Sequence, residues 1–204
     1  MNRTAMIVPA LRRACLPLAA LLLLLPACNG GAGAEPPLAG AQIGGPFQLT
    51  GEDGQIVRWS DFAGKYRIVY FGYAYCPDVC PNDVNFMMKG YDTFKRQDPA
   101  RAAKVQPLFI TIDPARDTPA VVKEFTDAFS PDLLGLTGTE AQIADTAKKF
   151  AIYYRRGEDS AGGGYLMDHS RGAYLMGPDG APIALLPVEQ NPEAVAAELD
   201  RWVS

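Results

Sequence analysis

Two cysteines separated by three residues, in Cys76-Pro77-Asp78-Val79-Cys80-Pro81, follow directly on the apolar run Ile68 to Tyr73. Segments from Tyr66 to Gly72 and from Val105 to Ile112 are apolar along both faces, as strands in the middle of a sheet are. A thiol pair placed where such a strand hands over to the next element fixes one end of the sheet as a reactive edge. The remaining chain has to be arranged around that strand.

The flanking pattern supplies the arrangement. Phe47 to Thr50, a Gly51-Glu52-Asp53-Gly54 turn and Gln55 to Val57 read as a hairpin. Ser60 is placed to cap a short helical turn before Gly64. A helix is expected from Pro81 to Gln97, because Val84, Met87, Met88, Tyr91 and Phe94 recur at three to four residues. Thr118-Pro119 offers an N-cap and a first-turn proline for a helix to Phe129, with Val122, Phe125 and Phe129 inward. Thr139 with Gln142 predicts a capping box for a helix to Phe150. Leu133 to Leu136 and Ile152 to Tyr154 read as strands. Ala173 to Met176, a Gly177-Pro178-Asp179-Gly180 turn and Ile183 to Leu186 form a second hairpin, followed by a helix from Pro192 capped by Asn191. This order describes an α/β fold, a mixed central sheet flanked by helices, with an N-terminal hairpin and a C-terminal hairpin plus helix. The thiol pair at a strand-to-helix junction makes it thioredoxin-like, and ligands of such sheets gather at the carboxyl ends of the strands.

Two further cysteines, Cys15 and Cys28, belong to the N-terminus. Arg3, Arg12 and Arg13 precede an apolar stretch from Leu16 to Leu25, shorter than the ~20 residues a membrane-spanning helix needs. That is a signal peptide, residues 1–27. Leu25-Pro26-Ala27-Cys28 is similar to a lipoprotein cleavage box in which Cys28 becomes lipidated, although Pro26 departs from it; simple secretion is the alternative. Either way the protein lies outside the cytoplasm, on the periplasmic side of a bacterial membrane. Residues 28–45, rich in Gly, Ala and Pro, are expected as a flexible tether, and 46–204 as the folded domain. The net charge of −4 becomes about −7 once the three leader arginines are gone, with no Lys/Arg cluster. Such a surface argues against nucleic acid.

Cys76 and Cys80 can act as a stapling disulfide, a redox couple or two legs of a metal site. Each precedes proline, which disfavours the helical region, so both are expected in a loop with the helix starting at Pro81. As a staple so short a loop stabilises little. His169, in Asp168-His169-Ser170, is the sole histidine. Asp168 and Ser170 offer partners for its free ring nitrogen. Two thiolates and one imidazole fall one short of a closed zinc site, and the soft donor set suits copper(I) or copper(II). Zinc completed by water is the competing metal, and a surface or core histidine the competing role for His169.

Tyr70-Phe71-Gly72-Tyr73-Ala74-Tyr75-Cys76-Pro77-Asp78-Val79-Cys80-Pro81, then Asp113-Pro114 with Arg116-Asp117-Thr118-Pro119, then Asp168-His169-Ser170 with Tyr174-Leu175 and Pro178-Asp179-Gly180, together resemble the Sco/SenC family of copper metallochaperones. The resemblance covers the chain from about Phe47 onward. It implies a thioredoxin fold, copper held by Cys76, Cys80 and His169, and maturation of the CuA centre of cytochrome c oxidase. The implied partners are the CuA-bearing subunit, another periplasmic copper donor and a thioredoxin-like reductant. Ala74 stands where the family commonly has Thr, and many members carry a membrane-spanning anchor in place of a lipid.

Arg116 and Asp117 either face a partner or shape a strand-to-helix turn. Asp78 either tunes the thiolates or forms an Asx turn. Met87, Met88, Met167 and Met176 read as core, with auxiliary thioether ligands as the alternative. The competing functions are a copper-binding assembly factor that is not an enzyme, a thiol-disulfide oxidoreductase acting on partner cysteines, and a peroxiredoxin-type peroxidase, which leaves His169 without a role.

Overall fold

The structure, a computed structural model, describes residues 34–159 and 163–204. The signal peptide, Cys15, Cys28 and Gly162 lie outside these residues. The elements in chain order are β1 (Gln48–Gly51), β2 (Ile56–Arg58), a 3-10 turn (Trp59–Phe62), β3 (Tyr66–Gly72), α1 (Val79–Gln97), α2 (Pro99–Ala102) and β4 (Val105–Thr111). They continue as α3 (Pro119–Asp127), β5 (Leu134–Thr137), α4 (Glu140–Lys149), β6 (Tyr154–Asp159), β7 (Tyr165–His169), β8 (Ala173–Met176), β9 (Pro182–Leu186) and α5 (Pro192–Trp202).

Seven strands form one mixed sheet in the order β2-β1-β5-β4-β3-β8-β9. β3, β4 and β5 run parallel, with Tyr70 opposite Phe109 and Ile110 opposite Leu136, and β8 returns antiparallel beside β3. All seven residues of β3 are buried. Its central place follows from that, since a strand with no polar face cannot serve as an edge. Arg67, the one charged residue in β3, is accommodated locally: its guanidinium donates to Gly177 O at 2.7 Å and lies over the Trp59 ring. Helix α1 turns its apolar stripe of Val84, Met87, Met88, Tyr91 and Phe94 inward and packs along α5, while α3 covers β5. Met87, Met88, Met167 and Met176 all belong to the hydrophobic core.

Several local expectations meet the structure directly. Thr139 Oγ1 accepts from Gln142 N at 3.3 Å while Gln142 Oε1 accepts from Thr139 N at 2.8 Å, the reciprocal capping box. Asn191 caps α5 through Ala194 N at 2.8 Å.

Others are corrected. Helix α1 begins at Val79, so Cys80 lies in its first turn and not in a loop. Pro81 is the third helical residue, where a missing N–H costs nothing because first-turn N–H groups have no intrahelical acceptor. The bias against helix in the residue before a proline is therefore outweighed. Ser60 sits inside the 3-10 turn, whose entry is held by Asp61 accepting from Arg58 N at 2.8 Å. Helix α3 ends at Asp127, before Phe129. The strand expected at Ile152 to Tyr154 instead starts at Tyr154 and pairs outside the central sheet, with β7, in a two-stranded ribbon. Residues 36–45 depart from the expected tether: Leu38 N donates to Ile183 O at 3.0 Å, Gly44 N to Lys149 O at 2.8 Å, and Leu38 and Ile43 pack on the core. Two apolar anchors suffice to hold a segment whose composition is otherwise that of a linker.

Candidate metal centre

At the carboxyl end of β3 the chain crosses the sheet edge as Tyr73 to Asp78 and enters α1. Two bonds shape this crossing. Cys76 N donates to Tyr73 O at 3.2 Å, and Ala74 N donates to Asp117 Oδ2 at 2.9 Å. The anchor at residue 74 is its backbone N–H, which explains why alanine serves there. Gly72 keeps β3 clear of the sulfurs, since a Cβ at that position would stand 3.1 Å from Cys80 Sγ and 2.8 Å from the Tyr70 ring.

Both cysteines are free and buried. Cys76 Sγ accepts from Cys80 N at 3.3 Å, and Cys80 Sγ lies 3.3 Å from His169 Nε2. His169 Nδ1 lies 2.8 Å from Ser170 O. A carbonyl only accepts, so Nδ1 carries the proton there, and in the neutral ring the Nε2 lone pair faces the thiols. Tyr73 packs edge-on against the imidazole with ring centroids 6.0 Å apart. The two sulfurs and the imidazole thus converge, with the thiol-facing nitrogen fixed by a bond to its opposite ring atom. They stand at hydrogen-bonding distance, and among the described residues no three His, Cys, Asp or Glu side chains form a ready-made metal cage. Holding a metal there would displace the thiol protons, since thiolate is the ligating form.

The two thiols divide one proton unevenly. A hydrogen bond from the Cys80 thiol, with help from the N–H groups of Cys80 and Asp78, outweighs burial and lowers Cys76 to about 3. The same bond to Cys76, together with burial, pushes Cys80 up. Burial also raises the Tyr73 phenol, to about 12. Alkylation of the reduced, metal-free protein is therefore expected at Cys76 before Cys80. The Cys76 rate should stay nearly flat between about pH 5 and about pH 8, where an ordinary thiol gains roughly tenfold per unit. Peptide mapping after iodoacetamide checks this, and a tenfold climb per unit at Cys76 would contradict it.

Asp117, Arg116 and Asp78 take the structural side of the two roles the sequence left open to them, and Asp168 departs from its expected role beside His169. Asp117 is fully buried, so it does not face a partner; it accepts from Thr111 Oγ1 at 2.6 Å as well as from Ala74 N, and burial raises its pKa. Arg116 is covered by the Tyr165 ring at 3.7 Å, donates to Tyr165 O at 2.9 Å and pairs with Asp113 at 2.5 Å. It ties the β6–β7 ribbon to the loop before α3. Asp78 accepts from Asn82 Nδ2 at 2.8 Å, and its carboxylate takes no part in holding the sulfurs. Asp168 is exposed and pairs with Arg155 at 3.0 Å. Neighbours in a strand point to opposite faces, so Asp168 cannot support the His169 ring, and the Ser170 backbone carbonyl does so instead.

Sequence reasoning missed Tyr70, Asp83 and Arg171. Asp83, three residues after Cys80, is a buried carboxylate on the inward side of α1, paired with Arg171 at 2.7 Å and bonded by Tyr70 Oη at 3.1 Å. The available signal was a charge standing inside the apolar stripe of α1. Its partner is 88 residues away along the chain.

A mixed sheet whose central strand ends on a thiol pair, one sulfur in the first turn of the following helix, defines a thioredoxin-like domain. The thioredoxin domain of a thiol-disulfide oxidoreductase from Bacteroides vulgatus shares the fold, with a TM-score of 0.55 at 17% identity over 79% of this chain and 96% of that one. The SCO1/SenC family profile matches residues 35–204, and the chain belongs to that family. It is 44% identical to Protein SenC of Rhodobacter capsulatus over 172 residues, which are 83% of this chain and 73% of that protein. It is 38% identical to the mitochondrial SCO1 homolog of Homo sapiens, of whose length it spans 45%. The structure of Bradyrhizobium japonicum ScoI with copper bound superposes with a TM-score of 0.70 at 38% identity, over 78% of this chain and 99% of that one.

Proposed function

We propose that this protein is a copper-binding assembly factor for cytochrome c oxidase. It holds copper between Cys76 Sγ, Cys80 Sγ and His169 Nε2 and passes it to the CuA centre. The carrying observation is the 3.3 Å approach of Cys80 Sγ to an imidazole nitrogen whose opposite ring atom is tied to Ser170 O. Two thiols and one imidazole make a soft set matched to copper(I), and a shell one ligand short of four leaves room for a receiving ligand. The ScoI relative has been solved with copper bound, and a more distant one, BsSco, is described as a member of the Sco family of cytochrome c oxidase assembly proteins. The arginines before the apolar stretch and the run Leu25 to Cys28 support work at the periplasmic side of a bacterial membrane, anchored by a lipid on Cys28.

Anaerobic titration of the reduced protein with copper(I), beside the Cys76→Ser/Cys80→Ser variant, tests the reading. Wild type should bind a single copper that the double variant does not. Equal binding by the two would sink the proposal. Mixing copper-loaded protein with the apo CuA-bearing subunit then tests delivery, which should appear as copper gained by that subunit.

A second reading is favoured by the unequal thiols: Cys76 lowered, Cys80 raised and buried. In it the Cys76 thiolate attacks a partner disulfide, and Cys80 displaces the partner to leave a Cys76–Cys80 disulfide and two reduced partner cysteines. The same thiols must be reduced to bind copper, so both activities can belong to one cycle. His169→Ala separates them, since reductase activity should survive a substitution that removes a copper ligand.

A further inference from the structure

We propose that Asp83 and Arg171 are positioning residues that set His169 against Cys80; this rests on the copper reading of the site. Cys80 and Asp83 lie one turn apart on α1, and His169 and Arg171 lie two residues apart where β7 passes into β8. Two contacts therefore bridge the same gap. One is the ligand pair, Cys80 Sγ to His169 Nε2 at 3.3 Å. The other is a two-point ion pair, Arg171 Nη2 to Asp83 Oδ1 at 2.7 Å and Arg171 Nε to Asp83 Oδ2 at 3.2 Å.

A forked guanidinium–carboxylate pair fixes angle as well as distance, which a single hydrogen bond does not. Asp83 is only 1% exposed, so its carboxylate cannot turn to water when the pair opens. Tyr70 Oη donates to the same Oδ2 at 3.1 Å, locking the carboxylate to β3 beneath the thiols. Behind Arg171 the chain bends at Gly172, whose φ of +120° is one that L side chains rarely adopt. The segment from His169 to Gly172 is thus held at α1 by Arg171 and enters β8 through a fixed bend. It carries both the imidazole and the Ser170 carbonyl that orients it. Losing the clamp should let the imidazole drift from Cys80; Tyr70 still bonds the Asp83 carboxylate, and the thermal unfolding midpoint should fall by the cost of its lost cation while the fold persists.

Competition of the full-length, reduced protein against a chromogenic copper(I) chelator tests this in a cycle of wild type, Arg171→Ala, His169→Ala and the double variant, with thermal unfolding of each. Arg171→Ala should lose about 10- to 100-fold in affinity, the usual cost of removing the group that orients a ligand. In the His169→Ala background the same substitution should cost nothing further. Equal losses in both backgrounds would make Arg171 a general structural residue and overturn the inference. So would wild-type affinity in Arg171→Ala while His169→Ala is weakened, and there the copper reading survives. If wild type itself binds no copper(I), the copper reading fails and takes this inference with it.

Discussion

His169→Ala is expected to weaken copper(I) binding by more than the roughly 10- to 100-fold that follows loss of a group orienting a ligand, because it removes a donor atom itself. The fold should persist. His169 ends β7, a strand of the outlying ribbon that is not hydrogen-bonded into the central sheet, and its ring is partly exposed. No large core side chain is lost, and the β6–β7 pairing that includes His169 opposite Tyr154 is made by backbone groups. The thiols would keep the geometry set by α1 and by the Ala74 anchor. The expected result is therefore a weakened copper site in a protein with near wild-type thermal unfolding, read by chelator competition beside a melting curve. An unchanged affinity would remove His169 from the site.

Phe71→Ala is expected to lower the free energy of unfolding by about 3–5 kcal/mol, the range for deleting a large buried aromatic side chain. Phe71 is fully buried in β3, one residue before the glycine that gives the sulfurs their room. Its ring stands 5.4 Å from that of Phe150 at the end of α4, which in turn stands 5.6 Å from Trp59 and 6.3 Å from Tyr174. Such a cluster joins the N-terminal hairpin, α4 and the C-terminal hairpin around β3. A ring removed there leaves a cavity that strands held on both sides cannot collapse to fill. Leu185→Ala, at a side chain 52% exposed on the sheet edge, should change stability by no more than about 0.5 kcal/mol. Denaturant unfolding of the pair checks both values, and a Phe71 effect no larger than that of Leu185 would contradict the packing described.

The central strands, the stripe of α1, the caps of α3, α4 and α5 and the second hairpin were legible because each is written locally, in periodicity or in a cap three residues long. The β6–β7 ribbon was not. Its strands face solvent along much of their length, so Arg155, Arg156, Glu158 and Asp159 carry no apolar alternation. Without the ribbon His169 had no element to sit on, although its approach to the thiols was readable from the motif around it. The support of the site was harder still. Asp83 and Arg171 are 88 residues apart, and the carbonyl that holds the imidazole belongs to the backbone, where residue type leaves no trace. Asp78 and Asp168, chosen for their closeness in sequence, point elsewhere for reasons of helix entry and strand alternation.

X-ray absorption at the copper edge on the copper(I)-loaded protein tests the central claim most directly. Coordination by Cys76, Cys80 and His169 predicts a first shell of two sulfurs and one imidazole nitrogen, with the imidazole signal absent in His169→Ala. A wild-type shell of sulfur alone, or one that His169→Ala leaves unchanged, would contradict it.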